Sequence, residues 1–253
     1  MTAKRISLAL AACAALAGVI TALSLWLTRD PPVTVAGILG EVLVSADGRT
    51  ITIPERWTPC HEIKPRLVAR ESGTSVTLVL RAAARVDLRH QCASANQHIS
   101  TTLRSPLASR RLTDASTGLT INPFRAAQLA TPRYLPGGYR PTDNVYADSV
   151  ERPVHPFDRD PGQGPAWTRF YSTTSGQPSL SITQFTGNPP GAVFGKELSG
   201  DQVSVSGHPG HLADESPGNR SVIWSDGTYT FVVNTANPHL TNAQLLEIAG
   251  HLG

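Results

Sequence analysis

The residues best suited to chemistry form one short cluster near the C-terminus. His208 and His211 are followed closely by two carboxylates, Asp214 and Glu215. Imidazole nitrogens and carboxylate oxygens are ligands that Zn²⁺ and similar divalent metals accept. The run Gly207-His208-Pro209-Gly210 is equally typical of a turn that follows a strand. We favour the turn, and keep His208, His211 and Asp214 as the alternative metal ligands.

Two cysteines, Cys60 and Cys92, lie beyond the N-terminal apolar segment. In an oxidising compartment such a pair is expected to form a disulfide. The bridge would close a loop of about 30 residues and contribute roughly 3–4 kcal/mol in the chain-entropy model. Because the two cysteines offer only half a zinc site and no C-x-x-C motif, the sequence predicts a structural disulfide.

Other catalytic signals are missing from the sequence. There is no G-x-S-x-G, S-x-x-K, H-E-x-x-H or G-x-G-x-x-G motif, and Gly195-Lys196 lacks the remainder of a phosphate-binding loop. Arg81, Arg85 and Arg89 recur every fourth residue, a spacing that could clamp phosphates on a helix but more often forms a solvated stripe. We therefore expect no cofactor, no nucleic-acid partner and no enzymatic activity.

The larger aromatic residues could line a carbohydrate or lipid site. They make up only 6% of the chain, a share that an ordinary core accommodates. We expect them in the core; they are Trp57, Trp167, Tyr171, Trp224 and Tyr229.

The N-terminal segment is the clearest topological signal. Residues 6–27 form an uncharged apolar run of 22 residues that follows Lys4 and Arg5. As a helix the run would be about 33 Å long, enough to cross a bilayer, and the preceding charges favour a cytoplasmic N-terminus. We predict a cytoplasmic stub and transmembrane anchor over residues 1–29. A cleaved signal peptide, or a lipoprotein signal ending at Cys13, are the alternatives.

The first extracytoplasmic part is predicted to be a small β module. A tether over residues 30–35 precedes the module, which spans residues 36–124 and includes both predicted disulfide partners. Asp47-Gly48 predicts a hairpin turn, and Ser72-Gly73 predicts another, ahead of the alternating strand that begins near Val76. Residues 124–130 are expected to form a short helical connector.

The second module, residues 132–253, carries the strongest strand pattern. Five strand-length runs precede a C-terminal helix that begins with the capping-box pattern Thr241-x-x-Gln244. Leu245, Ile248, Ala249 and Leu252 give that helix one apolar face. The predicted fold class is therefore α+β and β-rich: a transmembrane helix, a small β module, and an antiparallel sheet backed by a helix.

Several short strings in the second module carry a resemblance. They are Tyr134-Leu135-Pro136-Gly137-Gly138-Tyr139, Ile182-Thr183-Gln184, Val203-Ser204-Val205-Ser206-Gly207, Trp224-Ser225-Asp226-Gly227-Thr228-Tyr229 and Leu245-Leu246-Glu247-Ile248-Ala249. This pattern resembles an uncharacterised C-terminal module of bacterial envelope proteins, similar to pieces of periplasmic regulators of anti-sigma factors. The resemblance implies a non-enzymatic sensing or binding role and transfers no active-site residue.

Three functions remain in competition. The first is a membrane-anchored extracytoplasmic binding or sensing module, which meets the lipid bilayer through residues 6–27 and an envelope protein or lipid as partner. The second is a metal-dependent envelope hydrolase that uses the His208–Glu215 cluster. The third is a purely structural envelope protein. The expected location is the cell membrane, with a single span and the C-terminal part outside the cytoplasm.

Overall fold

The computed structural model describes residues 33–38, 40–84, 93–143, 164–173, 178–187, 197–216 and 219–253. Most regular elements in these residues are β-strands. Numbered along the chain, the strands are β1 Val33–Ala36, β2 Leu43–Val44, β3 Thr50–Trp57, β4 Glu62–Glu71, β5 Ser75–Ala84, β6 Ala95–Thr102, β7 Arg111–Asp114, β8 Thr120–Ile121, β9 Phe124–Arg125, β10 Arg140–Thr142, β11 Ala166–Ser172, β12 Pro178–Thr186, β13 Asp201–Val205, β14 His208–Ser216, β15 Asn219–Ser225 and β16 Tyr229–Thr235. The helical elements are one α-helix, α1 Asn242–Gly250, and two single-turn 3-10 helices, Ala126–Gln128 and Glu197–Ser199.

Strands β1 to β9 form two sheets, which we call the N-terminal sheets. A five-stranded sheet is built around β5, with β4 on one edge and β1 and β7 on the other, and β8 continues beyond β7. A four-stranded sheet has the order β6–β3–β2–β9. The pairings β5–β7 and β2–β9 are parallel, and the other pairings in these sheets are antiparallel.

The N-terminal sheets share one apolar core. Ile51 and Ile53 of β3 are buried in it together with Ile99 of the neighbouring β6. Because strand side chains alternate between the two faces, Thr52 points to the opposite side of the sheet. Burial of each of these isoleucines stabilises the fold by about 1.5–3 kcal/mol.

Both predicted turns of this region are confirmed. Asp47-Gly48 joins β2 to β3, and Gly48 takes a φ of 72°, a left-handed conformation that favours glycine. Ser72-Gly73 lies between β4 and β5, and the Ser72 N–H donates to the Ser75 carbonyl at 2.8 Å. The predicted helical connector contains the 3-10 turn Ala126–Gln128 and ends there, since Leu129 is already extended.

The other seven strands form one antiparallel sheet in the order β10–β11–β12–β16–β15–β14–β13. Residues 225–227 form the hairpin turn that joins β15 to β16, and Asp226 accepts from the Thr228 and Tyr229 N–H groups. One face of this seven-stranded sheet carries a large apolar cluster that includes Ile182, Val222 and Val233.

Helix α1 packs on that apolar face. Thr241 and Gln244 form the predicted capping box, with the Gln244 N–H donating to the Thr241 hydroxyl at 3.2 Å and the Thr241 N–H donating to Gln244 Oε1 at 2.9 Å. Leu245, Ile248 and Ala249 are buried, as the spacing predicted.

A buried glutamine secures the segment that leads into the seven-stranded sheet. The side chain of Gln184 accepts from the Ala130 N–H at 2.8 Å and donates to the Gln128 carbonyl at 2.9 Å. Further along, Pro132 and Leu252 form an isolated antiparallel β-bridge, so the segment also lies against the C-terminus.

The predicted α+β class is wrong. The described residues are β-rich throughout, with several sheets and a single α-helix of nine residues. A nine-residue helix is about 14 Å long, whereas seven strands span roughly 29 Å, so α1 cannot cover its sheet as a separate layer. Its main contacts are with β13, β15 and β16.

The transmembrane part of the predicted fold is not supported either. None of the helices in the described residues combines the length and the apolar character that a membrane crossing requires. The run assigned to the anchor, residues 6–27, lies outside the described residues.

Candidate functional site

A groove of about 630 Å³ lies between the four-stranded sheet and the seven-stranded sheet. We call it the junction groove. One side is the outer face of the four-stranded sheet, the other is β11, and the segment leading into β10 closes part of the rim. The lining residues are Leu43, Thr52, His98, Ser100, Thr131, Pro132, Leu135, Pro141, Thr142, Asp143, Trp167, Arg169, Phe170 and Tyr171.

Strand alternation supplies the first side of the groove. Thr52 of β3 and Ser100 of β6 are directly paired, and their hydroxyls lie 2.9 Å apart. Their strand neighbours Ile51 and Ile99 point the opposite way, into the core. The apolar pattern that builds the core therefore also exposes hydroxyl groups to the groove.

Strand β11 supplies the second side in the same way. Trp167, Arg169 and Tyr171 occupy alternate positions, so their side chains share one face of the strand. Arg169 is paired with Ile182 of β12, and Tyr171 is paired with Leu180. A positive charge is thus placed between two aromatic side chains at the edge of an apolar face.

His98 connects the two sides. Its ring stacks on Trp167, with ring centroids 5.0 Å apart and an interplanar angle of 26°. Its backbone N–H donates to the Asp143 carbonyl at 3.2 Å. Since His98 belongs to β6 and Trp167 to β11, these contacts fix the width of the junction groove.

A buried carboxylate fixes the position of β11 more firmly. Glu41 is only 6% exposed and accepts two hydrogen bonds from Thr168, from the backbone N–H at 2.7 Å and from the hydroxyl at 2.8 Å. The Thr168 hydroxyl also lies 2.9 Å from the Thr183 hydroxyl. Hydrogen bonds to an ionised acceptor are stronger than neutral ones, so this contact holds the two sides of the groove in register.

Two hydrogen-bond donors of the groove have no acceptor. Within the described part of the chain, neither the Arg169 guanidinium nor the Tyr171 hydroxyl makes a hydrogen bond or ion pair. Tyr171 is 2% exposed, and Arg169 is partly buried. Both residues line the groove, so these two donors are available to a group that enters it.

Burial and the neighbouring side chain both shift the pKa values of the pair. Burial lowers the pKa of Arg169, and the interaction with Tyr171 acts in the opposite direction. Burial raises the pKa of Tyr171, and the positive charge of Arg169 partly counteracts that rise. Each group is therefore desolvated and lies within electrostatic reach of the other.

The structure separates the predicted metal ligands. His208, His211 and Asp214 lie on β14, so the predicted turn at residues 207–210 is wrong and the actual turn is Ser206-Gly207. Along a strand, positions 208 and 211 face opposite sides of the sheet. The Nδ1 atom of His211 lies 3.3 Å from the Gly200 carbonyl oxygen.

No group of three or more His, Cys, Asp or Glu side chains is arranged to hold a metal ion anywhere in the described ranges. The predicted arginine stripe is also not helical at its start, because Arg81 belongs to β5; Arg85 and Arg89 lie outside the described residues.

Only one cysteine of the predicted disulfide lies in the described residues. Cys60 is half-buried in the turn between β3 and β4, and Cys92 lies outside the described residues. The Cys60–Cys92 bridge stays a prediction.

The aromatic residues mostly take the predicted core positions. Trp57, Trp167, Tyr171 and Trp224 are buried, while Tyr229 is partly exposed. Sequence reasoning nevertheless missed the groove. The available signal was the alternation Trp167-x-Arg169-x-Tyr171, which places a charge on the buried face of a strand.

Comparison with protein-family models, with curated proteins and with solved structures finds no match to this chain.

Proposed function

We propose that this protein is an extracytoplasmic, non-enzymatic binding or sensing module, and that its ligand occupies the junction groove. The observation that carries the proposal is the position and size of the groove. Ligand sites occur preferentially where two packed units meet and typically measure about 300–1,000 Å³. The junction groove, at about 630 Å³ between two sheets, fits both criteria.

The construction of the groove also supports a binding role. Its two sides are held by contacts that are distant in sequence, between Glu41 and Thr168 and between His98 and Trp167. A site held in this way is preorganised, so a ligand loses little affinity to the ordering of side chains.

The sequence supports a location outside the cytoplasm. A long apolar run after Lys4 and Arg5 is typical of an export segment, whether the run is retained or removed. A structural disulfide between Cys60 and Cys92 would require an oxidising compartment. The resemblance of residues 132–253 to an envelope module also supports a location outside the cytoplasm.

The test is native mass spectrometry of the full-length chain purified from a bacterial envelope in mild detergent. We expect a bound mass that disappears when the same sample is denatured. The variant Ser100→Trp places a large side chain in the groove, because Ser100 is exposed there on β6. We expect this variant to lose the bound mass.

The matched control is Thr102→Trp. Thr102 is exposed on the same strand, two residues along, and does not line the groove. This variant should keep the bound mass. A wild-type chain that carries no ligand, or a ligand that remains bound equally in Ser100→Trp, would contradict the proposal.

A further inference from the structure

We propose that the groove ligand carries a carboxylate or phosphate group, and that this acidic group is received by the Arg169 guanidinium and the Tyr171 hydroxyl. The inference rests on the proposed function, because it names the chemistry of the ligand for the same groove. The juxtaposition that carries it is two hydrogen-bond donors in one cavity, neither of which bonds to an acceptor among the described residues.

The first step concerns Tyr171. A tyrosine that is 2% exposed normally gives its hydroxyl a hydrogen-bond partner. In the described residues the Tyr171 hydroxyl has none, although the residue lines the groove. The hydroxyl is therefore available to a ligand group in the groove.

The second step concerns Arg169. Guanidinium groups that are partly desolvated are usually paired with a carboxylate, because the unpaired charge is costly to bury. The ion pair between Arg110 and Glu71, at 2.8 Å, shows the usual arrangement elsewhere in this protein. No ion pair with Arg169 is found among the residues described, so a ligand anion would supply the missing partner.

The third step concerns the rest of the ligand. The groove is far larger than a single acidic group, and apolar side chains such as Leu43, Pro132 and Leu135 also line it. The ligand should therefore join an acidic head to an apolar body. Thr52 and Ser100 offer hydroxyls that would fix the orientation of any polar group on that body.

Four probes separate these contributions: cyclohexanecarboxylate, cyclohexyl phosphate, the neutral cyclohexanemethanol, and inorganic phosphate alone. None of them absorbs where tryptophan does, so Trp167, which lines the groove, can report binding to the full-length chain by fluorescence. We expect saturable binding of at least one of the two amphiphilic anions. Which anion binds better distinguishes a carboxylate ligand from a phosphate ligand.

The variants assign the interaction. Arg169→Met should weaken binding of the preferred anion by about tenfold to a hundredfold, the range for loss of a charged hydrogen bond, and Arg169→Lys should recover part of it. Tyr171→Phe should weaken it by about fivefold to tenfold. Binding of cyclohexanemethanol should be at least about tenfold weaker than that of the anion and unchanged in Arg169→Met.

The unfolding temperature distinguishes a specific loss of binding from misfolding of the variant. Without any ligand, Arg169→Met should unfold at the same or a higher temperature than the wild type, because it removes an unpaired, partly buried charge. Loss of binding together with a lowered unfolding temperature would overturn the assignment to Arg169.

Other outcomes separate the two proposals. If cyclohexanemethanol binds as tightly as the anions, or if Arg169→Met leaves anion binding unchanged, the groove binds ligands but the acidic-group inference is wrong. If no probe changes the fluorescence at millimolar concentration, the inference is also overturned. The bound mass seen by native mass spectrometry would then still decide the proposed function.

Discussion

The contact between Glu41 and Thr168 offers the sharpest test of how the two sides of the groove are joined. Glu41 accepts from both the N–H and the hydroxyl of Thr168 while being 6% exposed. The variant Glu41→Gln keeps the shape of the side chain but has only one acceptor oxygen. One of the two Thr168 donors therefore loses its acceptor in a buried site.

The magnitude follows from the two hydrogen bonds. A hydrogen bond to a charged group contributes about 1.5–3 kcal/mol, and a buried donor left unpaired costs about 1–3 kcal/mol. We expect Glu41→Gln to lower the free energy of unfolding by about 2–3 kcal/mol. Thr168→Val removes the hydroxyl from both Glu41 and Thr183, and should cost a similar amount.

A double-mutant cycle isolates the contact from other effects of each change. In the double variant the second substitution removes a hydrogen bond that is already broken, so its cost should be reduced by about 1–2 kcal/mol. The assay is urea unfolding of the full-length chain in mild detergent, followed by tryptophan fluorescence. Trp57 reports on the N-terminal sheets, and Trp167 and Trp224 report on the seven-stranded sheet.

Asp201→Asn is the control for loss of a negative charge alone. Asp201 is exposed at the start of β13, so this change should alter the free energy of unfolding by less than about 0.5 kcal/mol. A coupling energy below about 0.5 kcal/mol between positions 41 and 168 would refute the reasoning, because the two residues would then contribute independently.

Three further predictions concern other parts of the molecule. Burial, with a smaller contribution from Glu62, raises the pKa of Glu55 from 4.5 to about 7, so the stability that protonated Glu55 contributes is complete below pH 4.5 and is lost as the pH rises through 7. In urea unfolding, Glu55→Gln should therefore equal the wild type at pH 4.5 and be more stable by about 1–2 kcal/mol at pH 8, after allowance for partial exposure. Maleimide labelling of the denatured, unreduced chain should detect one thiol and not three, since only Cys13 of the three cysteines lies outside the predicted Cys60–Cys92 bridge. Thr241→Ala should cost about 1 kcal/mol in the same unfolding assay because it removes the capping box of α1, and an unchanged midpoint would contradict that role.

The local signals in the sequence predicted local structure well. Asp47-Gly48, Ser72-Gly73 and the capping box at Thr241 each specify a backbone conformation through a few neighbouring residues, and all three are present. The error at residues 207–210 has the same local origin. Gly-His-Pro-Gly satisfies the rules for a turn, but pairing with β13 and β15 extends the segment into β14.

The fold class could not be read from the same signals. An amphipathic helix such as α1 shows that one of its faces is buried, but the pattern does not state how much of a sheet the helix covers. The arrangement of the N-terminal sheets depends on parallel pairings between distant segments, β2 with β9 and β5 with β7. Parallel pairs leave no turn signal in the sequence, because their strands are not joined by a hairpin.

The groove could not be predicted from the sequence for a related reason. Arg169 sits between Trp167 and Tyr171 on one strand face, which by itself identifies a charge among aromatic residues and nothing more. The cost of that placement becomes apparent only when the opposing sheet, held by Glu41 and His98, reduces solvent access to β11. Asp143 also lines the groove, but among the described residues no carboxylate forms an ion pair with the arginine. A charge that the fold desolvates but does not neutralise works against stability, and such conflicts are concentrated at functional sites. The conflict is resolved if an anion enters the groove, so binding would supply the interaction that folding leaves unmade.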